Sequence, residues 1–398
     1  MRSRKAWVMA SGAVGLAVAL TAAALVAPNR AAAAAQPYVP RDAATIVAHV
    51  PPRDAREVAE RQALAAAPER VEVAVELARK DIERARKTSD PRYLGRAQAT
   101  LSRWWRLADP PADVLLLRAT IQQSLHQFAA ARTDLDRLIA LRPDDVQAHL
   151  TRAVVATVTA DYAAARESCT ALARMASPLL ALTCQAPLDA LAGDSDGAYR
   201  RLAAAIDTRT PAELRAWALT TLAELAIQSG DEPLAEAHLR SVLRLDPDDA
   251  YARAALADLL LPHAPAQASA LLAGYEAIDT LLVRRAIAEG KSRGPEAAQL
   301  ARQMRERFAA AAQRDDQTHL REEARFVLAV DTDPDRAVEL ARRNWDVQKE
   351  LADARLLVEA AVEARKREAA APVIEWARAT GVRDALLTRW LGRIGGQR

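Results

Sequence analysis

A hidden period of about 34 residues runs through the middle of this sequence. Ala97, Leu101 and Trp104 recur 34 positions later as Ala131, Leu135 and Leu138, again 34 positions on as Ala165, Cys169 and Leu172, and after a further 33 as Ala198, Leu202 and Ala205. A period in this range marks stacked helix-turn-helix units, none of which can bury its apolar face alone. The expected fold is therefore all-α, an α-solenoid or superhelix whose function is to present a surface. Composition agrees: aromatics make up only 4% of the chain, glycines number 13 in 398 residues, and alanine is abundant. Alanine favours the helix and lets neighbouring helices approach closely. No β-rich stretch interrupts the pattern.

Residues 1–35 stand apart from the repeats. Arg2, Arg4 and Lys5 form a positive start, Ala6 to Ala27 is an uncharged apolar run, and Ala31 to Ala35 offers small-residue cleavage sites. This is the layout of a secretory signal peptide, although about 20 apolar residues also suffice for an uncleaved membrane anchor. Pro28, Arg30 and the alanines that follow favour cleavage near Ala35. No cysteine at the junction offers a lipid anchor, and Arg2 and Arg4 do not form a twin-arginine pair. The expected location is the periplasm of a bacterium, with an inner-membrane anchor facing the periplasm as the alternative.

The leader also distorts the charge. The whole chain has 55 Lys and Arg against 52 Asp and Glu, for a net +3. Four of those basic residues (Arg2, Arg4, Lys5, Arg30) lie in the leader, which holds no acidic ones, so the remainder carries 51 against 52, a net −1. A nucleic-acid binder needs a concentrated positive field. Here both signs are mixed along the helices, and a nucleic-acid partner is not expected.

Residues 36–70 are rich in proline and charge and read as a linker or strap, with one short helix near Arg53 to Ala66. Helical pairs fill 71–381, and 382–398 supplies a capping helix and tail. Breaks at Asp109-Pro110-Pro111, Arg142-Pro143-Asp144-Asp145 and Asp246-Pro247-Asp248-Asp249 separate units, because proline is tolerated in the first helical turn but not inside a helix. The second and third of these breaks are 104 residues apart. Spacings of 34, 33 and 37 between Ala119, Ala153, Ala186 and Ala223 account for that distance.

In this register the residues resemble the tetratricopeptide repeat (TPR) family. Its small eighth residue, alanine at the twentieth, bulky twenty-fourth and proline near the thirty-second appear as Ala119, Ala131, Leu135 and Pro143, and as Ala223, Ala235, Leu239 and Pro247. The turns Gly230-Asp231 and Ala160-Asp161-Tyr162 also fit. The family's early tryptophan is replaced by Leu115, His149 and Leu219. Clear resemblance spans about 90 to 260 and loosens beyond Ala250, although Ala337 and Ala341 again fall on an inward face.

Chemistry is sparse. His49, His126, His149, His238, His263 and His319 share no helix at metal-ligand spacing and read as surface or turn residues, so no metal is expected. The pairs Glu322-Glu323 and Asp315-Asp316 read as solvated faces. No phosphate-cradling glycine loop, nucleophile elbow or Cys-x-x-Cys is present. Neither a cofactor nor an enzymatic activity is expected. In the repeat register Cys169 and Cys184 lie at similar height on antiparallel helices, which permits a disulfide in an oxidising compartment. Two buried thiols filling small gaps fit the same positions.

The resemblance implies that the first helix of each pair lines the concave face. The exposed inner positions would be Asp113, Leu116, Thr120 and Gln123, then Gln147, Val154 and Thr157, then Trp217, Thr220, Glu224 and Gln228, and finally Tyr251 and Asp258. Such a groove suits an extended peptide or a partner's helix, with Trp217 and Tyr251 either anchoring it or packing between repeats. The lysine/asparagine clamp that some members use for a terminal carboxylate is missing, since Leu116, Thr120, Thr151 and Leu180 occupy the corresponding places. The sequence therefore points to a scaffold for a protein or peptide partner in an envelope complex. The alternative is an enzyme or ligand-binding protein that uses the superhelix as a cup.

Overall fold

The computed structural model describes residues 55–396 apart from 89, 208 and 315. The leader, the first part of the strap, His49 and Asp315 lie outside the described residues. Helix α1 (Ala55–Ala66) precedes the first pair, α2 (Val71–Thr88) and α3 (Arg92–Thr100), the latter followed by the single turn α4 (Ser102–Trp105). Four regular pairs follow: α5 (Ala112–Ser124) with α6 (Phe128–Leu141), α7 (Val146–Val158) with α8 (Tyr162–Met175), α9 (Pro178–Leu191) with α10 (Ser195–Ala205), and α11 (Ala212–Ser229) with α12 (Glu232–Leu245). The second half continues with α13 (Ala250–Leu260) and α14 (Pro265–Leu272), then α15 (Asp279–Ser292) and α16 (Ala297–Gln313). Next come α17 (Leu320–Phe326), prolonged by the π-turn Val327–Asp331, with α18 (Pro334–Val347), and then α19 (Leu351–Glu363) with α20 (Ala371–Thr380). Helix α21 (Ala385–Gly396) ends the stack. No strand occurs among the described residues.

Local chemistry sets these boundaries. The aspartates of the recurring Pro-Asp-Asp breaks are N-caps: Asp145 accepts from Ala148 N at 2.9 Å, and Asp249, 104 residues later, accepts from Ala252 N at 2.8 Å. Asp161, Asp194, Asp231 and Asp333 cap α8, α10, α12 and α18 in the same way. Each satisfies a backbone donor that the helix start would leave orphaned. The residue just before the second helix's cap takes a left-handed conformation at Ala160, Gly193, Gly230 and Thr332. Glycine adopts it without strain.

Alanines hold the pairs together. Ala97, Ala131, Ala165, Ala198, Ala235 and Ala268 are each at most 1% exposed, and Ala301, Ala337 and Ala370 continue the series at spacings of 33 to 36. The repeat therefore runs past Ala250 without a break, although the rest of the motif loosens there. The chain is an α-solenoid of tetratricopeptide-like helix-turn-helix units. Cys169 on α8 and Cys184 on α9 are disulfide-bonded, with Cα atoms 5.6 Å apart.

The superhelix also closes on itself. Trp376 Nε1 donates to Tyr162 Oη at 2.7 Å, Lys349 N donates to Val158 O at 2.7 Å, and Gln228 Nε2 donates to Arg383 O at 2.8 Å. These bonds join residues 155 to 214 positions apart. Leu191 packs into the C-terminal core, and Val347 packs against the core of α5–α7. Gly193 is needed twice over. Its φ is +93°, and a Cβ there would stand 3.2 Å from Gly381 O.

Two expectations about polar residues fail. His149 and His319 are 7% and 4% exposed, not at the surface. His149 fills the core position that a tryptophan takes in the family, with Nε2 2.9 Å from Pro143 O. Glu322 is 5% exposed, so it belongs to no solvated face. Among the described residues, no cluster of His, Cys, Asp and Glu could hold a metal, and no helix is long and apolar enough to cross a membrane.

Candidate partner-binding cup

Side chains three and four apart on a helix share one face, and in every pair from α7 onward the first helix turns such a face inward. Closure of the superhelix makes these faces the wall of a cup of about 970 Å³. Thr157 of α7, Leu191 of α9, Glu224 and Gln228 of α11, Tyr251, Ala255 and Asp258 of α13, and Arg284 of α15 line one side. Arg321, Glu322 and Arg325 of α17, Glu350, Arg355 and Glu359 at and along α19, and Trp390 of α21 line the other. Apolar strips run between them, from Leu259 and Ile287 to Leu328, Leu351 and Leu386.

Most of the interior charge is already paired. Arg284 grips Asp258 through two bonds of 3.0 and 2.9 Å, and Arg325 binds the same carboxylate at 2.5 Å. Burial pushes the Asp258 carboxyl up, but the two guanidinium groups outweigh it and hold it below the usual range. Arg321 bonds Asp353 at 2.5 and 2.9 Å and also pairs with Glu350. Burial opposes its charge, yet Asp353 and Glu350 keep it firmly protonated. Arg355 reaches Asp384, which also caps α21 through Leu387 N at 2.6 Å.

Glu224 has no cation. Its carboxyl accepts the Tyr251 hydroxyl, and burial pushes its pKa up to about 8 despite that bond, with Glu350 adding to the effect. The Tyr251 hydroxyl is in turn pushed well above its ordinary value, first by burial and then by Glu224. At neutral pH this pair is a neutral donor-acceptor site in the cup wall.

The structure gathers five of the residues expected from sequence: Thr157, Glu224, Gln228, Tyr251 and Asp258. Four residues named for the exposed face are buried. Trp217 is 2% exposed within the α7–α11 core, and Thr220 is 6% exposed, its hydroxyl donating to Ala216 O. Gln228 is 5% exposed and spends its amide on Ala190 O and Arg383 O. The causes differ: Trp217 packs into the core that the neighbouring units α7–α11 share, whereas α21 closes against α11 and Gln228 bonds across that seam. Val154 is likewise buried. Asp113, Leu116, Thr120, Gln123 and Gln147 do not line the cup. Asp113 is exposed and pairs with Arg142 at 2.6 Å, Leu116 packs on the α5–α7 core, and Gln147 donates to Thr151.

Arg284, Arg321, Arg325, Arg355 and Glu359 escaped the sequence reading. The alanine series at Ala268, Ala301, Ala337 and Ala370 would have marked α15, α17 and α19 as first helices. Arg321/Arg325 and Arg355/Glu359 are then inward pairs at four-residue spacing.

No family model and no curated protein matches the chain. Among solved structures it is similar to a Rap protein complexed with competence and sporulation factor, at 14% identity over 83% of this chain and 99% of that one, with a TM-score of 0.47. It is also similar to the Cut9–Hcn1 hetero-tetramer of the APC/C (11% identity, 86% and 90% covered, TM-score 0.38) and to yeast Tom70 (11% identity, 85% and 90% covered, TM-score 0.34). Identities and scores this low say nothing of what this chain binds.

Proposed function

We propose that this protein is a non-enzymatic scaffold that holds an extended segment of a protein partner inside its cup. We further propose that it works in the bacterial periplasm in the assembly or maturation of an envelope complex. One observation carries the reading: successive first helices converge on one open-mouthed cup that mixes apolar strips with fixed hydrogen-bonding groups. Such a wall suits a peptide backbone and its side chains. The periplasmic setting rests on the charged start, apolar run and alanine-rich cleavage region of residues 1–35, and on the disulfide between Cys169 and Cys184, which an oxidising compartment allows.

The test is co-purification of a discrete partner with the exported protein. Substituting Ala255→Trp, which fills the cup from α13, should release that partner while the helical signal and melting temperature stay near the parent's. Retention of the partner by a folded Ala255→Trp protein would refute the reading. The cup volume also lies at the upper end of small-molecule sites, which favours a bound small ligand as the second reading. Native mass spectrometry of the purified chain separates the two.

A further inference from the structure

The interior ion pairs are unevenly shared, and the imbalance indicates which charge an occupant must bring. Every guanidinium deep in the wall is committed: Arg284 and Arg325 to Asp258, Arg321 to Glu350 and Asp353, Arg355 to Asp384. Two carboxyl groups in the same wall are not. Glu322 on α17 is 5% exposed, lines the cup, and takes no hydrogen bond or ion pair among the described residues. Glu359 on α19 lines the cup half-buried and is equally unpartnered. Glu322 on α17 and Glu359 on α19 stand on first helices that pack against each other and line the same cup.

A buried carboxylate without a partner is costly, whereas a cation in water is not. The uncommitted cations Lys291 and Arg389 are exposed and keep their hydration, and Lys349 is half-buried. An anionic occupant would have to break a formed Arg pair or strip a hydrated cation. A cationic one would meet two carboxyl groups of the wall that no side chain neutralises among the described residues. Burial raises the Glu359 carboxyl and Glu363 adds to the rise, against the opposing pull of Arg325, Lys291 and Arg393.

We propose that Glu322 and Glu359 receive a lysine or arginine side chain of the extended partner segment, so that the cup selects basic segments. This rests on the cup reading above.

The test pans a randomised peptide library against the full-length exported protein and against the Glu322→Gln/Glu359→Gln variant, with circular dichroism confirming that both are folded. Selected peptides should carry lysine or arginine at one fixed place. Replacing that residue by glutamine should weaken binding roughly tenfold or more, and the double variant should lose the preference. The single variant Glu359→Gln keeps the test open if Glu322→Gln disturbs α17. Neutral or acidic peptides selected with cup-dependent binding would overturn the charge assignment and leave the cup reading standing. Failure of the native protein to select any peptide sensitive to Ala255→Trp would overturn both.

Discussion

Trp217 divides the account from its nearest rival, in which this indole is an exposed hot spot. It is 2% exposed and belongs to the core shared by α7 to α11. Truncating a buried tryptophan to alanine typically costs about 3–5 kcal/mol through lost transfer energy and the cavity left behind. One local feature moves the figure toward the lower end. Trp217 Nε1 is buried with no acceptor among the described residues, a penalty of about 1–3 kcal/mol already present in the parent. Trp217→Phe removes that orphan donor and keeps an aromatic ring, so it should cost much less than Trp217→Ala. A solenoid transmits damage through neighbouring units, so the loss should be concentrated in α9 to α12. Urea unfolding followed by far-UV circular dichroism gives the overall change, and hydrogen exchange gives its location. If Trp217→Ala unfolds like the parent yet abolishes partner capture, the side chain is a free surface anchor and the reasoning fails.

Three further outcomes follow from the packing and the charges. Enlarging Ala131, Ala165 or Ala235, each fully buried, to leucine should overpack the helix contact and cost about 1–3 kcal/mol by denaturant titration; three neutral results would break the register. Replacing Cys169 and Cys184 by serine opens a loop with a sequence separation of 15 and should cost roughly 3 kcal/mol in the chain-entropy model, whereas two freely alkylated thiols in protein purified without reductant would show that the bridge does not form. Because the Glu224 carboxyl sits near 8 when folded against an ordinary 4.5, the folded chain holds that proton more tightly than the unfolded one. Its contribution is therefore full below about 4.5 and is lost as pH rises toward 8, and Glu224→Gln should flatten that slope in melting curves taken across the interval.

The sequence displayed its pairs because each turn is written in local chemistry. Capping aspartates, left-handed glycines and small twentieth residues act within one unit and leave a period. The disulfide was legible only as far as geometry allows two cysteines to meet. Closure was not legible at all. It depends on contacts such as Tyr162 with Trp376 and Gln228 with Arg383, between units with no shared motif. Once the ends meet, Gln228 becomes interior by bonding Arg383, whereas Trp217 takes the packing between neighbouring repeats that the sequence left open. The charged wall was missed for a different reason. Its arginines stand on units where only the alanine of the motif survives, so a search anchored on the full pattern stops before reaching them.

The central claim is that the partner is held within the cup and not on the outer helices. A photo-crosslinking residue at Ala255, inside the cup, and another at Leu141, 60% exposed on the second helix α6, test it directly in the full chain within its source cells. A discrete protein adduct from Ala255 and none from Leu141 is the expected result. An adduct from Leu141 with none from Ala255 would place the partner on the convex side and contradict the account.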